Sequence, residues 1–175
     1  MSYLITYSGK KVDLLDPSPD SIDIDDIAHA LSQITRFNGH HASHFSVADH
    51  SLHVLKLMRQ RTAKANLLLA ALMHDASEAY LGDMSTPLKL LCPDYRAIEA
   101  RFEAVIAKKY GFDDLSGLEK LALKDCDFIA LKTEASDGHY YLALHEGWAD
   151  DAEAWPYAFG EKSSLVFLQT FQLLK

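Results

Sequence analysis

Asn66 to Met73, NLLLAALM, is apolar on nearly every side and runs straight into His74-Asp75. A helix without a polar face has to be surrounded by other elements, so this segment is expected to sink into the core. It carries an imidazole and a carboxylate with it into surroundings of low dielectric. Burying that carboxylate without a partner costs on the order of several kcal/mol, and a divalent cation is the usual remedy where an imidazole stands beside the acid. Neighbouring helical positions point about 100° apart, so His74 and Asp75 can share one ion only if other segments complete the shell.

His50 is the best third ligand. It lies on a helix that Ser46 can open, with Asp49 at the third helical position, where a carboxylate suits the positive helix end. A fourth ligand should be an acid on a later helix, within LALKDCDFIALKTEA (Leu121 to Ala135). Periodicity leaves two candidates there, because Asp125 shares a face with Leu121 and Ile129 and Asp127 with Leu123, Ala130 and Leu131. Downstream of His74, Glu78 follows by four residues, which on a continuous helix puts it one turn further along the same face. Gly82 can end that helix in a left-handed cap, turning Asp83 and the Ser85 to Lys89 segment over the site.

His50, His74-Asp75 and a distant Asp together resemble the ligand pattern of the HD-domain superfamily of metal-dependent phosphohydrolases. HDASEAYLGDMSTPLK (His74 to Lys89) resembles the matching stretch of bacterial 5′-deoxynucleotidases in that superfamily. ALSQITRFNGHHASHFSVADHSLHV, within Ile27 to His53, is similar to small phage and prophage HD hydrolases, and the likeness runs from about Tyr3 to Asp137. The resemblance implies His50, His74, Asp75 and Asp127 as ligands of one divalent metal. Asp127 is preferred over Asp125 because the family shows an acid followed by an apolar run and Glu134. It further implies Arg36 and Lys89 as phosphate binders, Glu78 as the group acting on the attacking water, and Asp83 as a contact to the sugar hydroxyl. A homo-oligomer is expected on the same ground.

The remaining histidines carry weaker signals. His40, His41 and His44 fall in a Gly-containing turn before the His50 helix, where they are read as loop residues lining or capping the pocket. His53, three residues after His50, is read as core filler or as a neighbour of His50. Phe37 can stack on a nucleobase or pack in the core, since aromatic faces bind bases with little sequence demand. Competing chemistries lack their motifs. Asp49, His50 and Ser51 are consecutive and point apart, so they cannot form a Ser-His-Asp relay. Cys92 and Cys126 make no CxxC, and there is neither a GxxxxGK[ST] loop nor a GxGxxG.

A chain of 175 residues with 49% hydrophobic content suits one domain, 1–175, able to enclose a metal pocket. YLITY and KVDLL around Ser8-Gly9-Lys10 predict a hairpin, and DPSPD (Asp16 to Asp20) a break. The rest reads as mainly helical, near 22–35, 47–61, 65–81, 94–110, 117–137 and 163–174 with shorter turns between, and the resemblance implies an all-α HD-domain bundle. Ser116 and Glu119 form a further capping box. The segment Glu146 to Lys162, with Trp148, Trp155, Tyr157 and Phe159, reads as a lid, a subunit contact or a self-packed loop.

The longest uncharged apolar run is too short to span a bilayer and the first residues lack a signal peptide's order, so a cytoplasmic location is expected. A formal charge of −8 argues against coating a nucleic-acid polymer, although a local cluster of metal, Arg36 and Lys89 can still draw a small anion. The resemblance to the deoxynucleotidases implies release of phosphate from deoxynucleoside monophosphates. Release of triphosphate from a dNTP is the runner-up, and a nucleotide-binding regulator without turnover ranks lower. Guanosine-alarmone hydrolysis is disfavoured because the Glu-Asp pair typical of those enzymes is Glu78-Ala79 here. Mixed imidazole and carboxylate ligands suit zinc, manganese, cobalt, iron or nickel.

Overall fold

The computed structural model describes residues 2–138 and 162–175 and shows an all-α bundle preceded by a short antiparallel hairpin. Strands β1 (Tyr3–Ile5) and β2 (Lys11–Asp13) pair Leu4 with Val12, whose side chain is fully buried. Gly9 turns the chain at φ 84°, a conformation that costs glycine nothing. The break before the bundle is a single 3-10 turn, Pro19–Ser21, with the Ser18 hydroxyl accepting from the Asp20 N–H. Helices α1 (Ile24–Gln33), α2 (Val47–Arg59), α3 (Ala65–Met73), α4 (Glu78–Leu81), α5 (Thr86–Leu91), α6 (Pro93–Tyr110), α7 (Gly117–Gly138) and α8 (Ser163–Leu174) follow. Residues 146–161 of the aromatic segment, and His139 and His145, lie outside the described residues. Among the described residues no helix is long and apolar enough to cross a membrane.

Helix α2 sits at the centre, packed against α1, α3, α7 and α8. Residues Val47 to Leu55 are all buried, so its polar side chains have to be satisfied from inside the protein. The first turn achieves this locally. Ser46 Oγ accepts from the Asp49 N–H, the Ser46 N–H and hydroxyl donate to Asp49 Oδ2, and the Ser163 hydroxyl of α8 donates to Asp49 Oδ1 at 2.7 Å. This capping box fixes where His50 leaves the helix. Ser116 and Glu119 make the second one, at the start of α7.

Two expected elements differ in detail. The helix predicted over 65–81 is interrupted at 74–77, where hydrogen bonds close onto the third residue back: Ala76 N–H to Met73 O at 3.0 Å and Glu78 N–H to Asp75 O at 3.0 Å. Such tightening changes the angular offset along the chain, so Glu78 is placed by this turn rather than by one continuous helical face. The stretch after Gly82, expected to be irregular, contains α5, with Pro87 in its first turn, where a missing N–H is harmless. Gly82 itself has φ 81° and ψ 158°, a positive φ but not a left-handed helical cap.

Ser46→Ala removes the acceptor for the Asp49 N–H and one donor to its carboxylate. We expect a loss of about 1–2 kcal/mol in urea denaturation, with the slope unchanged.

Candidate metal centre and substrate cavity

The loop between α1 and α2 is closed at its base. Thr35 and Ser46 form an antiparallel bridge, with the Arg36 N–H donating to Phe45 O and the Val47 N–H to Ile34 O. Arg36 is thereby held beside the first turn of α2, and therefore beside His50. The next residues are strained: Phe37 (φ 56°) and Asn38 (φ 51°) adopt left-handed backbone, at a cost of about 1–2 kcal/mol each for residues with a Cβ. His40 and His44 are exposed in this loop, while His41 accepts from the Ser43 N–H and stacks near Phe37.

Two helices, α2 and α7, and the turn at 74–77 bring four side chains together. His50 Nε2 lies 3.2 Å from His74 Nε2 and 3.5 Å from Asp75 Oδ2, and His74 Nε2 lies 3.2 Å from the same Asp75 oxygen. Asp127 Oδ1, from α7, is 3.0 Å from His50 Nε2 and 3.7 Å from His74 Nε2. Ligand atoms of a tetrahedral ion with bonds of about 2.0–2.2 Å stand roughly 3.3–3.6 Å apart, and the separations here, from 3.0 to 3.7 Å, bracket that spacing. Asp125 points elsewhere, pairing with Arg61 at 2.6 Å on the surface.

Proton positions sharpen this geometry. His50 Nδ1 faces both oxygens of Glu134, at 2.8 and 3.0 Å, and His53 Nδ1 lies 3.0 Å from Oε1. Burial alone would raise the Glu134 carboxyl, but the charges of His50 and Arg36 outweigh it and hold it at about 2. An ionised carboxylate only accepts, so both Nδ1 atoms carry hydrogen. His74 Nδ1 donates to the Ala71 carbonyl at 3.1 Å. In the neutral rings, Nε2 of His50 and of His74 are therefore both lone pairs, facing each other and two carboxylates. Four acceptors converging in this way need a cation among them, either a metal ion or a proton on an imidazole.

Without a metal ion, protons on the imidazoles take the cation's part. Burial opposes charge on both imidazoles, yet Glu134 and Asp127 raise His50, while Asp75 and Asp127 raise His74 well above the ordinary range. Burial is likewise outweighed at Asp75 by His74, and at Asp127 by both histidines, leaving the two carboxyls below the usual carboxylate range. The ligand atoms of His50, His74 and Asp75 all lie within 4.8 Å of one another, a donor set that fits a divalent metal, and Asp127 stands beside both imidazoles.

A cavity of about 440 Å³ opens beside these groups, lined by Arg36, Phe37, Glu78, Asp83 and Lys89 together with Asp75 and Asp127. Arg36 is buried, with Nε 3.1 Å from Glu134 Oε2 as an ion pair without hydrogen-bond geometry, and Nη1 3.8 Å from Asp75 Oδ2. Glu78 is 4% exposed, and its Oε2 has no hydrogen-bond partner among the described residues. Burial, then Asp75 and Asp83, raise its carboxyl well above normal. Lys89 stands 3.5 Å from Glu78 Oε1 and 2.7 Å from Glu99 Oε1. Glu134, which the sequence used only as a marker for Asp127, is given no role of its own there, and His53, read as core filler or a neighbour of His50, shares its carboxylate with His50. Glu134 follows Asp127 by seven residues and so shares its face of α7, which is the signal that could have identified it.

A His/Asp cluster in a helical bundle, beside a cavity that holds Arg36 and Lys89 among four carboxylates, fits the HD-domain superfamily. A profile of the YfbR-like 5′-deoxynucleotidase family matches residues 26–117, and the chain belongs to that family. The match takes in Arg36, His50, His74, Asp75, Glu78, Asp83 and Lys89 and stops short of Asp127 and Glu134. The chain is also 40% identical over 167 residues to the uncharacterized protein YfdR of Escherichia coli (strain K12), covering 95% of this chain and 84% of that protein. An uncharacterized protein of Rhodobacter capsulatus is 40% identical over 138 residues, 73% of this chain and 68% of its own length.

Glu134→Gln leaves the shape but removes the charge that orients His50. We expect metal affinity to fall about 10- to 100-fold by isothermal titration. In the metal-free protein, Glu134 has its carboxyl at about 2 against an ordinary 4.5. The stability this depression provides is complete above pH 4.5 and is lost as pH falls toward 2. Thermal unfolding between those limits should therefore decline less steeply in Glu134→Gln than in the parent.

Proposed function

We propose that this protein is a 5′-deoxynucleotidase that hydrolyses deoxynucleoside monophosphates to deoxynucleoside and orthophosphate. The convergence of two acceptor imidazoles and two carboxylates beside one cavity that also holds Arg36, Glu78, Asp83 and Lys89 carries this reading. A divalent cation held by His50, His74, Asp75 and Asp127 supplies Lewis-acid polarisation of a phosphoryl oxygen and acidifies water. The protein's own groups do the rest. Arg36 and Lys89 bring positive charge to the phosphate, where negative charge develops in the transition state. Glu78 takes the proton of the attacking water: its raised carboxyl is a stronger base once ionised, and Lys89 at 3.5 Å favours the ionised form.

Asp83 accepts a hydrogen bond from a sugar hydroxyl, and Phe37 offers its ring to the base at the cavity mouth. The strained backbone at Phe37 and Asn38 is consistent with a loop held for ligand rather than for stability. A space of about 440 Å³ suits one nucleoside monophosphate. Cleaving the same P–O5′ bond in a dNTP would release triphosphate instead, so the identity of the phosphate product separates the two substrates.

Metal-loaded protein incubated with deoxynucleoside monophosphates should release orthophosphate, and Asp75→Ala should release none. Arg36→Ala should lower kcat/KM by about 10²- to 10³-fold, the usual cost of a lost transition-state donor. Triphosphate from a dNTP without orthophosphate from monophosphates would replace this assignment, and no metal-dependent product from either would end it.

A further inference from the structure

A second cavity, of about 850 Å³, lies on the other side of the metal centre, between α3, α6 and α7. Asp75 and Asp127 line both cavities, and His74 lines the second alone. The cleft exists because α6 presents Ala100, Ala104 and Ala107 to it, side chains too short to reach α7. One stripe of α7 explains the arrangement, since Lys120, Lys124, Asp127 and Leu131 succeed one another at helical spacing. The first two face the second cavity, Asp127 faces both, and Leu131 faces the first.

Charge is distributed unevenly around this opening. Lys108, Lys120 and Lys124 line it and form no ion pair among the described residues, whereas Lys10, Lys64 and Lys89 each hold a carboxylate. Four acids share the lining, Asp75 and Asp127 at the candidate metal centre and Glu103 and Asp113 further out, so it is only away from the centre that the three lysines outnumber the carboxylates. Hydrolysis also imposes a traffic problem. A nucleotide that fills the 440 Å³ cavity closes that approach, yet a water must reach the phosphorus and an oxyanion must leave.

We propose that the α3–α6–α7 cavity is a separate subsite and exit route for the inorganic phosphate product, with Lys108, Lys120 and Lys124 receiving it while the nucleoside still occupies the first cavity. The step is ordinary hydrolysis. A water oxygen forms the new P–O bond, the P–O5′ bond breaks, a proton passes to the 5′-oxygen, and orthophosphate departs on the lysine side. This rests on the nucleotidase reading for the origin of the phosphate, but the subsite itself can be tested without turnover.

The probe is inorganic phosphate, followed by ³¹P NMR line broadening on Mn²⁺-loaded full-length protein, with and without saturating deoxyadenosine. The parent should bind phosphate equally well in both conditions, and Lys120→Glu/Lys124→Glu should bind it about tenfold or more weakly, a change of about 1.4 kcal/mol. Both lysines are exposed, so the variant should fold, and circular dichroism checks that it does. Displacement of phosphate by deoxyadenosine, or unchanged affinity in the variant, would overturn the proposal. In turnover, phosphate should inhibit noncompetitively against the monophosphate, and the variant should change kcat with KM unaltered. A purely competitive pattern would count against the separate route. Absence of turnover in the parent would remove the nucleotidase reading while the NMR titration still decides the subsite.

Discussion

A single carboxylate, that of Glu134, organises the centre of this protein. It is 2% exposed, it takes N–H groups from His50 and His53, and it lies against the guanidinium of Arg36. Burying an isolated charge at this depth would be prohibitive, and three cationic or donor partners make it tolerable. Each partner is fixed in return. His50 receives its tautomer and ring orientation, so Nε2 becomes a lone pair aimed at Asp75, His74 and Asp127. Arg36 is drawn out of solvent and left with its remaining nitrogens toward the cavity. Removing the carboxylate would free both His50 and Arg36.

The backbone around this contact is shaped to the same end. A capping box starts α2 so that His50 falls in its first turn, and the Thr35–Ser46 bridge holds Arg36 next to that turn. The tight 74–77 turn then lets His74, Asp75 and Glu78 serve one centre although they are close neighbours in the chain. On α7, residues spaced three, four and seven apart deliver two lysines, a candidate ligand and the organising carboxylate along one face. The metal centre consequently lies at a wall between two cavities of different character, one holding Arg36, Glu78, Asp83 and Lys89, the other rimmed by lysines and floored by alanines.

Much of this was legible in the residues. The all-round apolar run Asn66 to Met73 announced a core helix, and Ser46 with Asp49 announced the start of α2. Gly9 announced the hairpin turn. The family pattern nominated Arg36, His50, His74, Asp75 and Asp127, and the structure brings them within a few ångströms of one another. Other features left no local trace. The break at 74–77 is invisible to periodicity because the sequence remains helix-compatible throughout. The choice between Asp125 and Asp127 depended on which face of α7 meets α2 and α3, and Arg61 on a separate element claims Asp125. His53 read equally well as filler because its partner lies 81 residues away.

The sequence by itself determined the helical class, the positions of most elements and the residue types of a metal and phosphate chemistry. Those properties follow from short-range rules: apolar spacing, capping residues and the scarcity of buried acids without partners. Tertiary structure alone decided which nitrogen of each imidazole is free, which aspartate faces it, and that the centre opens into two cavities rather than one. These are consequences of packing between segments far apart in the chain. A hydrogen-bond partner or an empty volume is set by the meeting of two surfaces, and neither surface encodes it alone.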